Sequence, residues 1–423
     1  MSTTTPVTRV VALPTERWGT PTAAQVLVIG GSALAPLNLL LVKSFTVYDF
    51  LIGVAFLLLL GQRQLRMPPT RYLVAAHVFL LAALFSAFRA TYPVEALTQV
   101  LTYVFVFFLL VPVVYSVVRS RRAVLASVFF LCAGTLGAIL HAFLTQHTQG
   151  AGRVLVFYSE NPNRLGYPAA YLLPFLVVLW LGVRTLAPRY QFVAGLACLG
   201  SGYLVVWSLA ASASRSSMLG ALVALFVFIV ARPSIGVGRM LLRAGGLTAG
   251  LALVGVLLAS TGQLPTTLED RIERSFSAED QGKLVGDREH LNNAGIRAFV
   301  DSPFLGTGLD NFRYVTVDYD QEATPQLPHN LWLQLLVQVG VFGTLAFAAI
   351  FVTWFRDLGA AYARASALDR QLLWAMASAF AGVLVIFLFA PELLDRHYWL
   401  IVTLGLAIVD GVRRHDPRKV IAS

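Results

Sequence analysis

A chain of 423 residues that is 57% hydrophobic and only 13% charged, with a mean hydropathy of +0.71, is not an ordinary soluble domain, whose charged share is about a quarter. The net charge of +10 would suggest nucleic acid in a soluble chain, but in so apolar a one it reports membrane orientation first, and no nucleic-acid partner is expected. Cys132 and Cys198 fall in separate apolar runs without a CxxC spacing, so neither a disulfide framework nor a metal knuckle is indicated.

Apolar runs set against charged breaks predict about twelve membrane spans, near 22–42, 46–60, 72–88, 96–118, 123–145, 165–183, 190–211, 216–231, 241–260, 330–355, 371–390 and 397–412. The fold class expected is all-α, because a backbone in lipid must satisfy its own polar groups and no barrel-like alternation is present. The Thr- and Pro-rich start lacks an obvious cleavage site after its apolar run, which is kept as the first span. Pro112, Pro168 and Pro174 should kink the helices that hold them.

With the N-terminus inside, the arginine groups 63/66/71, 119/121/122, 184/189, 232/239/243, 356/364/370 and 413/414/418 all fall on the cytoplasmic side, and most acidic residues fall on the other. The chain then divides into membrane helices over 1–260, an outer loop domain over 261–329, and the last membrane helices with a cytoplasmic tail over 330–423. The outer segment is far longer than a helix connection needs. Within it, Leu268, Ile272 and Phe276 suggest one short amphipathic helix. A second should start near Asp287 and stop before Pro303. Gly306-Thr307-Gly308 reads as a turn, since no βαβ context makes it a dinucleotide fingerprint.

Three places could carry chemistry. Pro328-His329-Asn330 stands where polar sequence gives way to an apolar helix, a position from which a histidine that titrates near neutral pH could meet polar and lipid-borne substrates together. Arg215 lies among hydroxyls in Ser214-Arg215-Ser216-Ser217, where it is either ion-paired or bound to an anion. Arg288 falls in the first turn of the helix expected from Asp287, where the helix dipole and guanidinium would favour a phosphate, unless Asp287 or Glu289 pairs with it. No HExxH or G-x-S-x-G pattern appears, so neither a metal nor another cofactor is expected. Arginines would then have to offset a diphosphate leaving group.

Taken together, Ser214-Arg215-Ser216, Gly286-Asp287-Arg288, the run from Ala298 through Pro303 and Gly306-Thr307-Gly308 to Asn311-Phe312, and Pro328-His329-Asn330 resemble the bacterial O-antigen ligases. These belong to a wider family that includes O-antigen polymerases and some protein O-oligosaccharyltransferases. The resemblance implies a GT-C-like inner-membrane enzyme with a periplasmic site. Its reaction would be metal-free, inverting transfer of a glycan from undecaprenyl diphosphate to lipid A-core. It implies His329 as general base and Arg215 and Arg288 as diphosphate ligands, with Ser214 and Asn330 in support. It also implies a carboxylate in the last outer loop, for which Asp395 and Glu392 are both candidates. From another class, a transporter would fit many helices, but such proteins commonly show internal repeats, and none is found.

Overall fold

The computed structural model describes residues 22–42, 45–149, 153–159, 161–183, 188–231, 236, 238–240, 242–243, 245–246, 278–390 and 392–414. Helix dominates, in the order α1 Ala23–Gln25, α2 Val47–Gly61, α3 Thr70–Phe88, α4 Pro93–Phe105, α5 Val111–Val117, α6 Arg121–Thr145, α7 Asn163–Gly166, α8 Ala169–Val183, α9 Pro188–Ser212, α10 Arg215–Ile229, α11 Ala278–Asp301, α12 Phe312–Tyr319, α13 Leu331–Tyr362, α14 Ala367–Phe387 and α15 Arg396–Arg414. Two small antiparallel hairpins, β1 Leu40–Val42 with β2 Phe45–Thr46 and β3 Thr148–Gln149 with β4 Arg153–Val154, complete it.

Among the described residues, seven helical spans are long and apolar enough to cross a membrane, and Val47–Gly61 and Arg215–Ile229 are shorter apolar helices. The chain is therefore a multi-pass membrane protein, but the expected twelve spans are not all found. The run 22–42 is not one helix: after α1 and a π-helical stretch, Val26–Gly30, it dissolves into turns around Pro36 and Asn38 and ends in β1. Pro36 has no N–H to continue a helix, and Asn38 takes a left-handed φ of 45°. Of the expected span 241–260 only residues 242–243 and 245–246 are described, and the amphipathic helix expected over Leu268–Phe276 lies outside the described residues. The expected outer helix exists, but it begins at Ala278 rather than near Asp287.

The three prolines fare differently: α8 runs on through Pro174. The helical run Pro93–Val117 contains a π-helical stretch at Val106–Leu110, just before Pro112, a common way to absorb the hydrogen bond a proline removes. Pro168 lies between α7 and α8.

α15 runs through the middle of the bundle and is buried nearly all round from Arg396 to Val409. Such a helix needs partners for its polar groups at both ends. At its start, Arg396 forks onto Asp49, with Nε 2.8 Å from Oδ1 and Nη2 2.7 Å from Oδ2. Asp49 in turn accepts the Thr46 amide at 2.9 Å as half of a capping box on α2. At its far end Arg413 donates to Asp357 at 2.8 Å.

α13 packs along α3 and is broken in the middle. Gly340 leaves the helix with φ 67° and ψ −174°, and a Cβ there would lie 2.2 Å from the Phe304 carbonyl oxygen. The carbonyls freed before the break are taken by the glycine loop: Thr307 N donates to Val337 O at 2.8 Å and Gly308 N to Gln338 O at 3.0 Å. Gly306, at φ 69°, sits so close that a Cβ would meet the Gln338 carbonyl carbon at 2.5 Å. The turn expected at Gly306-Thr307-Gly308 is thus a clasp on a discontinuous helix.

Candidate functional site

α11 and α12 form a small layer over the start of α13. Leu291, Ala294 and Ala298 of α11 pack with Phe312, Ala323 and Val337 in a core separate from that of the bundle. Polar contacts fasten the layer's rim. Arg297 Nη1 donates to Tyr319 O at 2.8 Å, and His290 lies 3.1 Å from Asp320 through Nδ1 and 3.2 Å from Glu322 through Nε2. These carboxylates raise His290 above the ordinary imidazole range, the hydrogen bond that His290 donates to Asp320 being the largest cause, and His290 lowers Asp320.

The layer delivers the chain to Pro328-His329-Asn330. Pro328 is buried against Gly295 of α11, where an added Cβ would lie 3.5 Å from its Cγ. Asn330 caps α13, its Oδ1 accepting from Trp332 N at 2.9 Å and Leu333 N at 3.2 Å. His329 is held between a packed proline and a helix cap and is exposed as a residue. Partial desolvation and then the charge of Arg288 hold its pKa below the ordinary imidazole value, which favours the neutral, proton-accepting ring.

Arg288 is exposed on α11. Because that helix starts at Ala278, Arg288 lies in its interior rather than in its first turn, so the helix terminus adds nothing and the guanidinium alone remains. Arg215 does occupy the first turn of α10, behind Ser214 as N-cap, whose Oγ accepts from Ser217 N at 3.4 Å. Neither Arg215 nor Arg288 has an ion pair or hydrogen bond among the described residues. Among the described residues no hydrogen bond or ion pair joins Arg215 to Arg288 or His329.

Asp395 and Glu392 are both engaged by one residue that the sequence reading left without a role. Arg164 of α7 bonds Glu392 and lies 3.3 Å from Asp395. Burial and the adjacent Asp395 push Glu392 above the usual carboxylate range, against the pull of Arg164. All three face a cavity of about 330 Å³ that also takes in Gln99, Tyr103, Asp310, Arg313, Leu327, Gln334, Gln338 and Arg396. Leu327 links this cavity to the His329 loop, two residues away. The glutamines were findable: Asn330, Gln334 and Gln338 recur every four residues at the start of an apolar run, which places them on one helix face. Arg313 and Arg396 gave no comparable local sign. Among the described residues no group of three His, Cys, Asp or Glu side chains is placed to hold a metal.

Residues 200–348 match the family model described as O-antigen ligase. No curated protein matches the chain. The matched stretch begins before Arg215 and ends beyond Asn330 and the break at Gly340. It indicates a ligase- or polymerase-type function on lipid-linked glycans in a membrane.

Proposed function

We propose that this chain is an O-antigen ligase of the bacterial inner membrane, which transfers a glycan from undecaprenyl diphosphate to a sugar of lipid A-core at a periplasmic site. The observation that carries the reading is that Arg215, Arg288 and His329 all fall within the stretch matched to the ligase family, with the Arg288 charge acting on the His329 ring. The histidine accepts the proton of the acceptor hydroxyl as that oxygen attacks the anomeric carbon. Diphosphate leaves from the opposite face, so configuration inverts. The two arginines neutralise the departing charge and require no metal to share the work. Arg215 has further support from the first-turn N–H groups of α10, which favour an anion.

Asn330 and Ser214 act by capping, which fixes where His329 and Arg215 stand. Asp395 serves the site through Arg164 rather than as a free carboxylate. The test is reconstitution of the purified chain with lipid-linked glycan and lipid A-core in EDTA, read as joined product on a gel. Joined product supports the ligase. Extension of one lipid-linked glycan by another, with lipid A-core ignored, would make the chain a polymerase instead. Modification of an added protein would make it an O-oligosaccharyltransferase, and no covalent product with any acceptor would favour a transporter.

A further inference from the structure

The cavity beside the His329 loop holds polar groups that neither the fold nor the proposed transfer uses. Gln338 is 2% exposed. Its backbone carbonyl is occupied by Ser86 and Gly308, yet its side-chain Nε2 makes no hydrogen bond among the described residues. The same holds for Gln334 Oε1, Gln99 Oε1 and Arg313 Nε, and all of these residues line the one cavity. A single buried orphan is a tolerable defect. Several on residues that line one space, each at a free-energy cost, indicate that the space is meant to be filled.

The chemistry of the orphans narrows what fills it. They comprise donors and acceptors together, and each amide can offer either on turning its end. A phosphate or carboxylate only accepts, so it would leave the acceptors unmet. Hydroxyl groups both donate and accept. The charged groups on the wall are already matched: Arg164 with Glu392 and Asp395, Arg396 with Asp49, and Arg313 with Asp310 through Nη2. Little net charge remains for an ionic ligand. At about 330 Å³, the volume lies at the small end of ligand sites, which run to about 1,000 Å³. The break at Gly340, clasped by Gly306 and Gly308, fixes the turn of α13 that presents Gln334 and Gln338.

We propose that this cavity is a subsite for a neutral sugar ring, whose hydroxyl groups pair with Gln99, Gln334, Gln338 and Arg313. The proposal deepens the transfer reading and rests on it for what carries the ring: either the lipid-linked glycan or the acceptor saccharide. Gln338→Leu and Gln334→Leu keep side-chain volume and remove the amide. Each should raise the KM for one of the two substrates about tenfold, the value of a lost hydrogen bond, with a smaller change in kcat. The substrate whose KM moves names the source of the ring. The melting temperature should hold or rise, because a buried orphan has been removed. An unchanged KM for both substrates would overturn the proposal, as would a lowered melting temperature with equal losses for both.

Should the wild-type chain join nothing, the transfer reading fails and a binding measurement still judges the cavity. Saturation-transfer NMR on the water-soluble oligosaccharides hydrolysed from each substrate should give a signal with wild type that is lost in Gln338→Leu. Equal signals in both proteins, or none in wild type, would overturn the subsite.

Discussion

Two sets of arginines, one at each end of the helical bundle, are partnered differently. At the end that carries the start of α3 and the close of α15, Asp357 takes Arg71, Arg413 and the Tyr72 hydroxyl together, and Asp369 takes Arg121 in a fork of 2.6 and 2.7 Å. At the end that carries His329, Arg164 and Arg396 are matched as fully, but Arg215 and Arg288 have no ion pair among the described residues, and the cavity that Arg164 and Arg396 help to line has unmet amides on its residues. Matched charge in a part-buried setting holds helices together. Unmatched charge and unmet polar groups raise the energy of the fold, and they are expected where a ligand supplies the missing partner.

Substitutions can break this contrast from either side. His329→Ala should lower glycan transfer by about 10²–10⁴-fold, the usual contribution of a positioned base, while the amount of protein in the membrane and its melting temperature stay near wild type. Arg288→Ala should lower transfer by about 10- to 100-fold, the worth of a charge-assisted hydrogen bond to the leaving group. Arg288→Lys and Arg215→Lys should recover only part of the rate, since lysine offers a point charge where arginine offers a fork. Loss of activity in EDTA that magnesium restores would assign the diphosphate to a metal instead.

Asp357→Asn should do the reverse. Removing one member of that cluster leaves buried charge behind, at a cost of about 2 kcal/mol once the partial exposure of Arg71 and Arg413 is allowed for. Thermal unfolding should report it, with kcat per folded molecule unchanged. A selective fall in kcat without loss of stability would erase the distinction between the two ends.

The smallest effect concerns the rim of the α11–α12 layer. His290 is raised and Asp320 lowered by their mutual contact, so the clamp exists in the window between the lowered carboxylate value and the raised imidazole value. Its contribution is complete below the unfolded histidine value and is lost as pH rises through the raised one. It is lost again as pH falls through the lowered Asp320 value. Hydrogen exchange in residues 288–298 should therefore quicken modestly on the alkaline side in wild type, and show no such step in His290→Gln.

Local signals carried much of this architecture in the sequence, and long-range ones did not. Polar sequence giving way at once to an apolar run marked the start of a helix near Asn330, and the structure has that residue capping α13. The glycines of Gly306-Thr307-Gly308 read as a turn because few other residues tolerate positive φ. What they clasp, the break at Gly340, was hidden inside the apolar run Val339-Gly340-Val341, where no local pattern distinguishes a broken helix from a continuous one. Apolarity alone also mistook 22–42 for one helix, because a hydropathy window cannot weigh Pro36 and Asn38 against their neighbours. Of the candidate residues, His329 and Arg288 are near enough to interact, whereas the roles of Arg164 and of the pair Arg396–Asp49 depend on contacts between residues hundreds of positions apart.

The central claim, that a neutral His329 removes a proton beside Arg288, a charge without an ion pair among the described residues, is tested most directly by the pH dependence of kcat/KM for transfer in EDTA. Desolvation and the Arg288 charge depress the His329 pKa. The rate should therefore rise with pH through a value below the ordinary imidazole range and then level off, and Arg288→Ala should move that rise to higher pH. A rate that instead falls as pH increases through the same region would mean that His329 acts as a cation on the diphosphate, and would contradict the account.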